Sequence, residues 1–400
     1  MSSKTMVYSE LHASKVYYFI LGICLALVVL GAFSFFHLEH EGHYVTGMNN
    51  QVVWGLPHVF AIFLIVAASG ALNIASIGTV FRKGLYQPMG GLSALLAIAL
   101  LLGGLAILVL DLGHADRLII AMTYYNFKSI FAWNIILYNG FLALCILYIW
   151  TMQDRKMKVL YPYAGFFAFS WRLILTLGTG SIFGFLVSRA YYNSAMIAPL
   201  FIALSFALGL AVFIILLFFV YRLDKRELGD LVLNRLRYLL AIFVAAAMFL
   251  ELARHLTALY IAQRHGVEQF ILLEGGIYTL LFWIGQVLVG GLIPLSLIFC
   301  RALKNNHWSL LLASALVIVG GFAQLYVIIV GGQVYPLELF PNAEVQSSFF
   351  DGEIHAYAPS VWEWMLGLGG IGLALTIYFF GMVALRFLPR SLADTEVEAS

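Results

Sequence analysis

An aspartate and a histidine stand together where the third long apolar stretch of the sequence ends. Asp111 and His114 are three residues apart in the segment LDLGHADRL, and this spacing predicts that they share a face at a helix mouth. A carboxylate at the edge of a hydrocarbon environment is costly to bury and is by default a candidate functional group. Beside a histidine it can exchange protons near neutral pH. The structural alternative is an interfacial aspartate that is capped by its own turn.

Four more side chains are expected at a similar depth. Trp54 and His58 are one helical turn apart in VVWGLPHVFAIF, while Trp133 and Asn134 open the next apolar stretch in KSIFAWN. With the preceding pair, they form the predicted binding pocket. For His58 the alternative is a hydrogen-bonded structural role, since buried polar groups are normally paired.

A second group of ionisable side chains lies deep in two later apolar stretches. Glu251, Arg254 and His255 occupy positions i, i+3 and i+4, so they share one helix face. Arg172 lies well inside another stretch, with threonines one and two turns further on. Charges inside a membrane face the bundle interior or a wet cavity and need a partner. These four residues are interpreted as a proton path or, alternatively, as a static ion-pair network.

The composition is that of a polytopic membrane protein. Of 400 residues, 62% are hydrophobic and 10% charged, with a mean hydropathy of +0.95, which excludes an ordinary soluble domain. The three cysteines lie in apolar runs without a CxxC motif. We therefore expect neither a disulfide framework, nor a cysteine-ligated iron–sulfur cluster, nor any other bound metal. The first apolar run lacks a small-residue cleavage site, which predicts a retained helix.

Ten apolar stretches are each near the length that a bilayer requires. The predicted fold is therefore an all-α integral membrane domain that extends over residues 1–400. Acid–histidine pairs in spans three and seven, and aromatic starts of spans four and eight, indicate two similar four-helix bundles with one flanking helix on each side. The predicted spans are 16–37, 52–81, 90–112, 129–150, 162–187, 195–221, 237–262, 276–300, 308–331 and 361–387.

Charged residues predict the orientation of these spans. Sixteen of the 22 Lys and Arg residues fall in segments on one side and four on the other. Under the positive-inside rule, both termini are cytoplasmic. The loops from His37 to Val53 and from Gly332 to Val361, which contain no Lys or Arg, would then face outward. Prolines and aromatics in the longer loop favour an ordered cap, and we expect the two loops to form a docking surface.

Three classes of function compete on these residues. A quinone-handling subunit needs a lipid-accessible slot and proton-exchanging groups, which the predicted pocket supplies. A di-haem cytochrome needs histidines that face each other across helices, whereas the histidines considered as ligands (His37, His58, His114 and His255) all lie toward the outer side. A secondary transporter needs broken helices in matched halves. Span eight is interrupted by glycines and a proline, but span four lacks the corresponding break. Quinone handling is favoured over the two alternatives.

An ordered set of motifs resembles a known family. WGLPHVFAIFLIVAASG, LDLGHADRL, KSIFAWN, the FW–Q pattern of span eight and PSVWEWMLGLGG before span ten resemble the NrfD/polysulfide reductase membrane-subunit family. Within it they resemble the HybB-like branch and its DsrP-type members, which belong to the DsrMKJOP sulfur-metabolism complex. The resemblance covers nearly the whole chain.

The resemblance implies a location, a ligand and partners. It implies a bacterial inner-membrane protein with two pseudo-repeated bundles, no haem or iron–sulfur cluster of its own, and an exchangeable menaquinone or ubiquinone at the outer side. It further implies a periplasmic iron–sulfur partner, together with membrane and cytochrome subunits. Family members often have a carboxylate at the position of Asn134, so a hydrogen bond to quinone is expected there rather than proton transfer.

Overall fold

Ten long helices account for most of the computed structural model, which describes residues 6–303, 306–337 and 352–397. Each helix is long and apolar enough to cross a membrane, so the predicted all-α, multi-pass membrane fold is confirmed. The helices are α1 (Lys15–Glu41), α2 (Leu56–Thr79), α3 (Gly84–Leu110), α4 (Ile130–Gln153), α5 (Arg155–Gly184), α6 (Ile197–Leu223), α7 (Asp230–Tyr260), α8 (Ile277–Phe299), α9 (His307–Val334) and α10 (Val361–Ala384).

Most helix ends lie within a few residues of the predicted ones, but three helices begin earlier. α3, α5 and α7 start six or seven residues before the predicted positions. In α3 and α5 the added turns are 3₁₀ helix, Gly84–Met89 and Arg155–Leu160. These turns are more polar than the apolar segments that follow, so a hydropathy pattern alone does not include them.

The ten helices form two four-helix groups and a flanking pair. In the first bundle, α2 and α4 each contact both α3 and α5. In the second bundle, α9 contacts α6 and α8, and α7 contacts α6 and α8. The flanking helices α1 and α10 pack along each other, and α10 also lies against α2 and α3. This is the predicted arrangement of two bundles with one additional helix from each end of the chain.

Glycines allow the two bundles to approach closely. A Cβ atom on Gly70 of α2 would collide with the backbone of Ser205, and one on Gly209 of α6 with the backbone of Gly70. Small residues at helix contacts let backbones approach in this way, and such packing holds membrane helices together. The seam between α2 and α6 therefore depends on these two glycines.

The π-helical stretches of the described residues lie in the second bundle and its connecting turns. α8 is π-helical over Leu281–Leu292, and the end of α9 includes the π turn Val327–Gly331. Shorter helical turns lie between the long helices and after the last one, at His43–Val45, Ala115–Arg117, Leu118–Thr123, Ala262–Arg264, His265–Gln269, Phe270–Glu274, Arg301–Leu303 and Asp394–Val397.

A short ribbon brings the two ends of the chain together. Strand β1 (Tyr8–Ser9) pairs antiparallel with β2 (Leu388–Pro389). Both chain ends therefore lie on one side, which we name the terminal end, and the opposite side is the distal end. That the terminal end faces the cytoplasm stays a prediction from the distribution of Lys and Arg.

Candidate functional site

A buried aspartate lies at the centre of the distal end of the first bundle. Helix α3 ends at Leu110, and Asp111 is the residue that caps it. Its side chain is only 1% exposed. One carboxylate oxygen, Oδ2, lies 3.1 Å from Nδ1 of His58, and the other, Oδ1, lies 3.6 Å from Nε2 of His43. Two histidines from different elements thus converge on one carboxylate.

His43 reaches this site from the loop after α1. Gly42 has a φ of +92°, a conformation that favours glycine, and the 3₁₀ turn His43–Val45 follows it. The His43 Nε2 atom lies 3.0 Å from the backbone oxygen of Asp111. Because a carbonyl oxygen only accepts hydrogen bonds, Nε2 must carry the proton. His58 is placed by α2, which begins at Leu56 with Pro57 in its first turn.

Electrostatics keep the carboxylate charged. Burial by itself raises the pKa of Asp111, but the interactions with His43 and His58 outweigh it and hold the pKa below the usual value. The contact with Asp111 in turn raises the pKa of His43. Among the described residues, His58 Nδ1 and both Asp111 carboxylate oxygens are buried without a well-aligned hydrogen-bond partner. The contacts of Asp111 with His43 and His58 are therefore ion pairs rather than well-formed hydrogen bonds. These atoms retain hydrogen-bonding capacity for a ligand.

A pH titration should show both groups. The Asp111 pKa is lowered on folding, so its stabilisation is present above the unfolded-state pKa and is lost as the pH falls through the folded-state pKa. The His43 pKa is raised, so its stabilisation is complete below the unfolded-state pKa and is lost as the pH rises through the folded-state pKa. We expect His43→Gln to remove the loss at alkaline pH, measured as Tm from roughly pH 5 to pH 9. The exposed His40 provides the control variant His40→Gln, and identical profiles for wild type and His43→Gln would contradict the assignment.

The predicted shared face of Asp111 and His114 is not formed. The helix stops before Asp111, and Gly113 has a φ of +70°, so the helical path does not continue to His114. His114 consequently points away, with its side chain 63% exposed and 3.8 Å from the carboxylate of Asp116. The partner that the sequence prediction sought for Asp111 is instead His43. A signal was present, since His43 lies in a loop with three of the ten histidines, but nothing in the local spacing points to Asp111.

The two predicted tryptophans differ in their surroundings. Trp54 is half-buried, 6.4 Å from the His58 ring and 5.6 Å from the Phe183 ring between centroids, so it forms an aromatic wall beside the site. Trp133 is 44% exposed, and its indole N–H donates to the backbone oxygen of Phe127 at 3.0 Å. Phe131, in the first turn of α4, packs 6.0 Å from Trp54. The contact between α4 and the wall is thus made by Phe131.

Asn134 holds α4 against α5. Its side-chain amide donates to the backbone oxygens of Ile130 at 2.9 Å and Gly178 at 3.1 Å. Its oxygen lies 3.4 Å from the hydroxyl of Thr179. Both amide hydrogens are thus committed within the protein. A hydrogen bond from Asn134 to a ligand would require one of these contacts to open.

A glutamine and an arginine fix the segment that carries Trp54. The Gln333 side-chain oxygen accepts from the backbone N–H groups of Val53 and Trp54, both at 3.0 Å, and its amide donates to the Trp54 oxygen. Arg189 bridges the backbone oxygens of Gln333 and Gln51 at 2.6 and 2.7 Å. These contacts join α9 to the entry of α2. Sequence reasoning did not identify either residue, because their partners are backbone atoms far away along the chain.

A buried glutamate fixes the same segment from the other side. Glu363, at the start of α10, accepts from the Tyr357 hydroxyl at 2.6 Å and from the Gly47 N–H at 2.9 Å. The Tyr357 hydroxyl also accepts from the N–H of Leu56 at 2.6 Å. Ser360 and Glu363 form a capping box, a pattern that is visible in the motif PSVWEW. The predicted cap between Gly332 and Val361 lies partly outside the described residues, which omit 338–351.

The second predicted group forms a buried network in the distal half of the second bundle. Arg254 donates to both carboxylate oxygens of Glu251, at 2.9 and 3.2 Å, and to the Tyr191 hydroxyl at 2.5 Å. His255 lies 3.2 Å from Glu251 and 2.6 Å from Glu268. Glu268 belongs to a short helix after α7 and was not predicted. The network therefore holds two carboxylates, one arginine and one histidine.

Arg172 belongs to a different set of contacts. It donates to the Asn73 side chain at 2.9 Å and to the Ser69 backbone oxygen at 3.3 Å, and its guanidinium lies between the rings of Phe169 and Phe206. Among the described residues, no hydrogen bond or ion pair joins Arg172 to the network around Glu251. The four residues of the predicted path are therefore divided between the two bundles.

Comparison with known proteins identifies the family. A family model described as polysulphide reductase, NrfD, matches residues 44–336. The chain belongs to the NrfD family. The matched region contains both bundles and includes His58, Asp111 and Gln333. The predicted resemblance is thus confirmed for the family, while the narrower DsrP-type branch stays a prediction.

Three proteins that are similar to this chain over most of its length are named as subunits of redox enzymes, two of them as membrane subunits. An Hdr-like menaquinol oxidoreductase integral membrane subunit from Archaeoglobus fulgidus is 28% identical over 98% of this chain and 99% of its own length. A selenate reductase subunit from Mesobacillus selenatarsenatis is 23% identical over 91% and 92%. A putative dimethyl sulfoxide reductase membrane subunit from Halobacterium salinarum is 24% identical over 92% and 90%.

Proposed function

We propose that this chain is the quinone-exchanging membrane subunit of a multi-subunit electron-transfer complex. The observation that carries the proposal is the convergence of His43 and His58 on the buried carboxylate of Asp111. Reduction of a quinone to a quinol takes up two electrons and two protons, so the site needs groups that exchange protons at the ring oxygens. The three side chains supply such groups at the edge of the apolar region, where a lipid-soluble ring arrives.

The same geometry suggests how the ring is held. His58 Nδ1 and the Asp111 oxygens are buried with unused hydrogen-bonding capacity among the described residues, and Trp54 provides an aromatic face next to His58. We propose that a menaquinone or ubiquinone binds there with one ring oxygen toward His58. In this proposal His58 takes up one of the two protons that a bound quinol releases, and the charged Asp111 stabilises the resulting imidazolium. His43 in turn stabilises the charge on Asp111. Trp133, Asn134 and His114 do not contact the quinone ring in this proposal.

The electron partner is proposed to dock at the distal end. A quinone held near Asp111 must exchange electrons with a centre that approaches from that side, which we propose is an iron–sulfur protein. Relatives are named as subunits of a menaquinol oxidoreductase, a selenate reductase and, putatively, a dimethyl sulfoxide reductase, which supports membership of a multi-subunit complex. We further propose that the chain lies in a bacterial inner membrane with both termini in the cytoplasm and that its partner is periplasmic. The complex would resemble the DsrMKJOP complex of sulfur metabolism and contain further membrane and cytochrome subunits.

Protons are proposed to use two separate groups rather than one continuous path. In the first bundle, Ser69 and Thr176 are joined at 2.6 Å beside Arg172 and Asn73. In the second bundle, Glu251, Arg254 and His255 connect through Glu268 toward the distal end. The alternative for each group is a purely structural role. For the second group, Arg254→Leu and the double variant Glu251→Leu/Arg254→Leu distinguish that role from proton transfer.

Specific contacts disfavour the other two classes. A transporter with matched broken halves would show corresponding irregular helices, whereas α8 is π-helical over Leu281–Leu292 and its counterpart α4 is a continuous α-helix from Ile130 to Gln153. The di-haem cytochrome considered as an alternative needs pairs of histidines that face each other across an iron. His43 and His58 instead both face Asp111. The absence of a haem or cluster in this subunit stays a prediction.

Photolabelling tests the proposed site. A light-activated azidoquinone, added to the purified complex, should label the segments 43–58 and 107–114, and unlabelled quinone should compete for this labelling. His58→Leu should reduce the labelling of both segments. Labelling confined to the membrane-facing surfaces of α1 and α10, and insensitive to competition, would contradict the proposal.

A further inference from the structure

The second bundle contains an apolar cavity away from the site around Asp111. Its volume is about 530 Å³, and its walls come from α6, α7, α8 and α9 and from the turn Phe270–Glu274. This volume lies within the range of sites that hold small organic molecules. Most of the lining is aliphatic or aromatic. Among the described lining residues, the polar side chains are Glu251, His255, Gln286 and Gln324, together with the indole of Trp283.

One polar group in the cavity has an unused acceptor. Gln286 is only 9% exposed, and among the described residues its side-chain oxygen has no hydrogen-bond partner. A buried carbonyl oxygen without a partner carries a free-energy cost, which a ligand with a hydroxyl group can relieve. The Glu251 carboxylate at the same cavity is already paired with Arg254 and His255, so it does not require a cation.

The helix that carries Gln286 is itself irregular at this point. Gln286 lies within the π-helical stretch Leu281–Leu292 of α8, and π-helical turns occur frequently at functional sites. Gly290 of this stretch meets Gly320 of α9 backbone to backbone, so the two helices are in close contact there. Phe282 contributes an aromatic ring that lies 4.8 Å from the His255 ring. The His255 and Phe282 rings therefore lie side by side in the cavity wall.

The cavity is accessible from the side that faces the membrane. Leu252 and Leu256 on α7 and Trp283 on α8 line it, and each is about half exposed on the surface of the protein. Because these residues belong to membrane-spanning helices, an entering molecule comes from the lipid phase. The occupant must therefore be apolar along its body, uncharged, and able to donate a hydrogen bond.

We propose that this cavity is a second quinol-binding site, in which a ring hydroxyl of the quinol donates to the side-chain oxygen of Gln286. The inference deepens the proposed function, because it takes the quinol as the lipid-soluble ligand of the complex. It adds a site in α6–α9 that is separate from the one formed by α2, α3 and the loop after α1. Only binding, and no reaction step, is proposed for this cavity.

The test uses two light-activated probes on the intact complex, an azidoquinol and a photoactivatable phosphatidylcholine. We expect the azidoquinol to label α7 and α8 within 244–259 and 281–292, and unlabelled quinol to displace it while excess phosphatidylcholine does not. Gln286→Leu should raise the azidoquinol concentration that half-saturates this labelling roughly two- to ten-fold, which corresponds to the loss of one hydrogen bond between neutral groups. Ala247→Leu, which reduces the cavity volume at a lining residue, should abolish it.

The controls separate this inference from the proposed function. Gln286→Leu and Ala247→Leu should keep labelling of 43–58 unchanged, which also shows that the variants are folded. Asp111→Asn should weaken labelling at 43–58 and leave the α7 and α8 segments labelled. Labelling of 43–58 alone would overturn the second site while the proposed function stands. Labelling of the cavity by the phosphatidylcholine probe, undisplaced by quinol, would also overturn it.

Discussion

Asp111→Asn is expected to lower quinol-dependent turnover of the assembled complex by about 10²- to 10⁴-fold, the usual contribution of a positioned proton-exchanging group. Asparagine preserves the shape of the side chain but removes the negative charge and the titrating proton. It cannot stabilise the positive charge that His58 gains on taking up a proton from a bound quinol, since His58 Nδ1 lies 3.1 Å from Oδ2 of Asp111 in the wild type. Turnover should be measured with saturating quinol in membranes that contain equal amounts of assembled complex.

The matched control is a carboxylate five residues further along the chain. Asp116 is 77% exposed and lies beside His114 rather than at the site, so Asp116→Asn should retain wild-type turnover. His58→Leu should reproduce the effect of Asp111→Asn. If Asp111→Asn assembles normally and keeps wild-type quinol kinetics, proton exchange takes place elsewhere in the complex.

Arg254→Leu is expected to destabilise the protein by about 3–5 kcal/mol, the cost of removing one partner from a buried ion pair. Arg254 donates two hydrogen bonds to Glu251 and lies 4.4 Å from the centre of the Tyr191 ring. Without it, His255 is the one remaining partner of Glu251 and Glu268 among the described residues. The change should be measured as a lower Tm or an earlier unfolding transition of the detergent-solubilised protein.

Two variants make this result interpretable. Arg386→Leu removes the partner of Glu10 in an exposed pair, so little measurable change is expected because solvent screens such pairs. The double variant Glu251→Leu/Arg254→Leu should recover much of the lost stability, since an apolar pair can replace a buried ion pair at little cost. A stable double variant with wild-type turnover would assign the network to packing, whereas lost turnover would support a role in proton transfer. Equal Tm values for Arg254→Leu and wild type would contradict the stability prediction.

The membrane fold was predictable because the property that sets it is local. Each span is a continuous apolar stretch long enough for a bilayer, and all ten predicted spans correspond to helices. Polar 3₁₀ turns such as Gly84–Met89 were not predicted, because hydropathy does not report hydrogen bonding. The seam at Gly70 and Gly209 was only partly visible, since small residues in a sequence do not indicate which helices they join.

For the candidate site, the depth of the residues in the membrane was predictable, but most of their contacts were not. Trp54, His58 and Asp111 were placed at one level from their positions in the spans, and the structure brings His58 and Asp111 into contact. The error at His114 arose from assuming that the helix continues through Asp111, whereas it ends at Leu110. His43 was not selected because it lies in a loop and is 68 residues from Asp111.

The second group illustrates the same limit. The spacing of Glu251, Arg254 and His255 gave their common face correctly, because i, i+3 and i+4 residues are neighbours on any α-helix. Glu268 and Tyr191, which complete the network, come from segments whose position depends on tertiary packing. The separation of Arg172 from this network, and the cavity at Gln286, depend on tertiary packing in the same way.

The location of the quinone ring in the assembled complex tests the central proposal most directly. A structure of the complex, purified with its native lipids and a quinone analogue, should show a ring oxygen within hydrogen-bonding distance, about 2.6–3.2 Å, of His58 Nδ1 or the Asp111 carboxylate. The iron–sulfur partner should cover the distal end of the first bundle in the same structure. A ring bound elsewhere, with His43, His58 and Asp111 in contact only with each other and with lipid, would contradict the account.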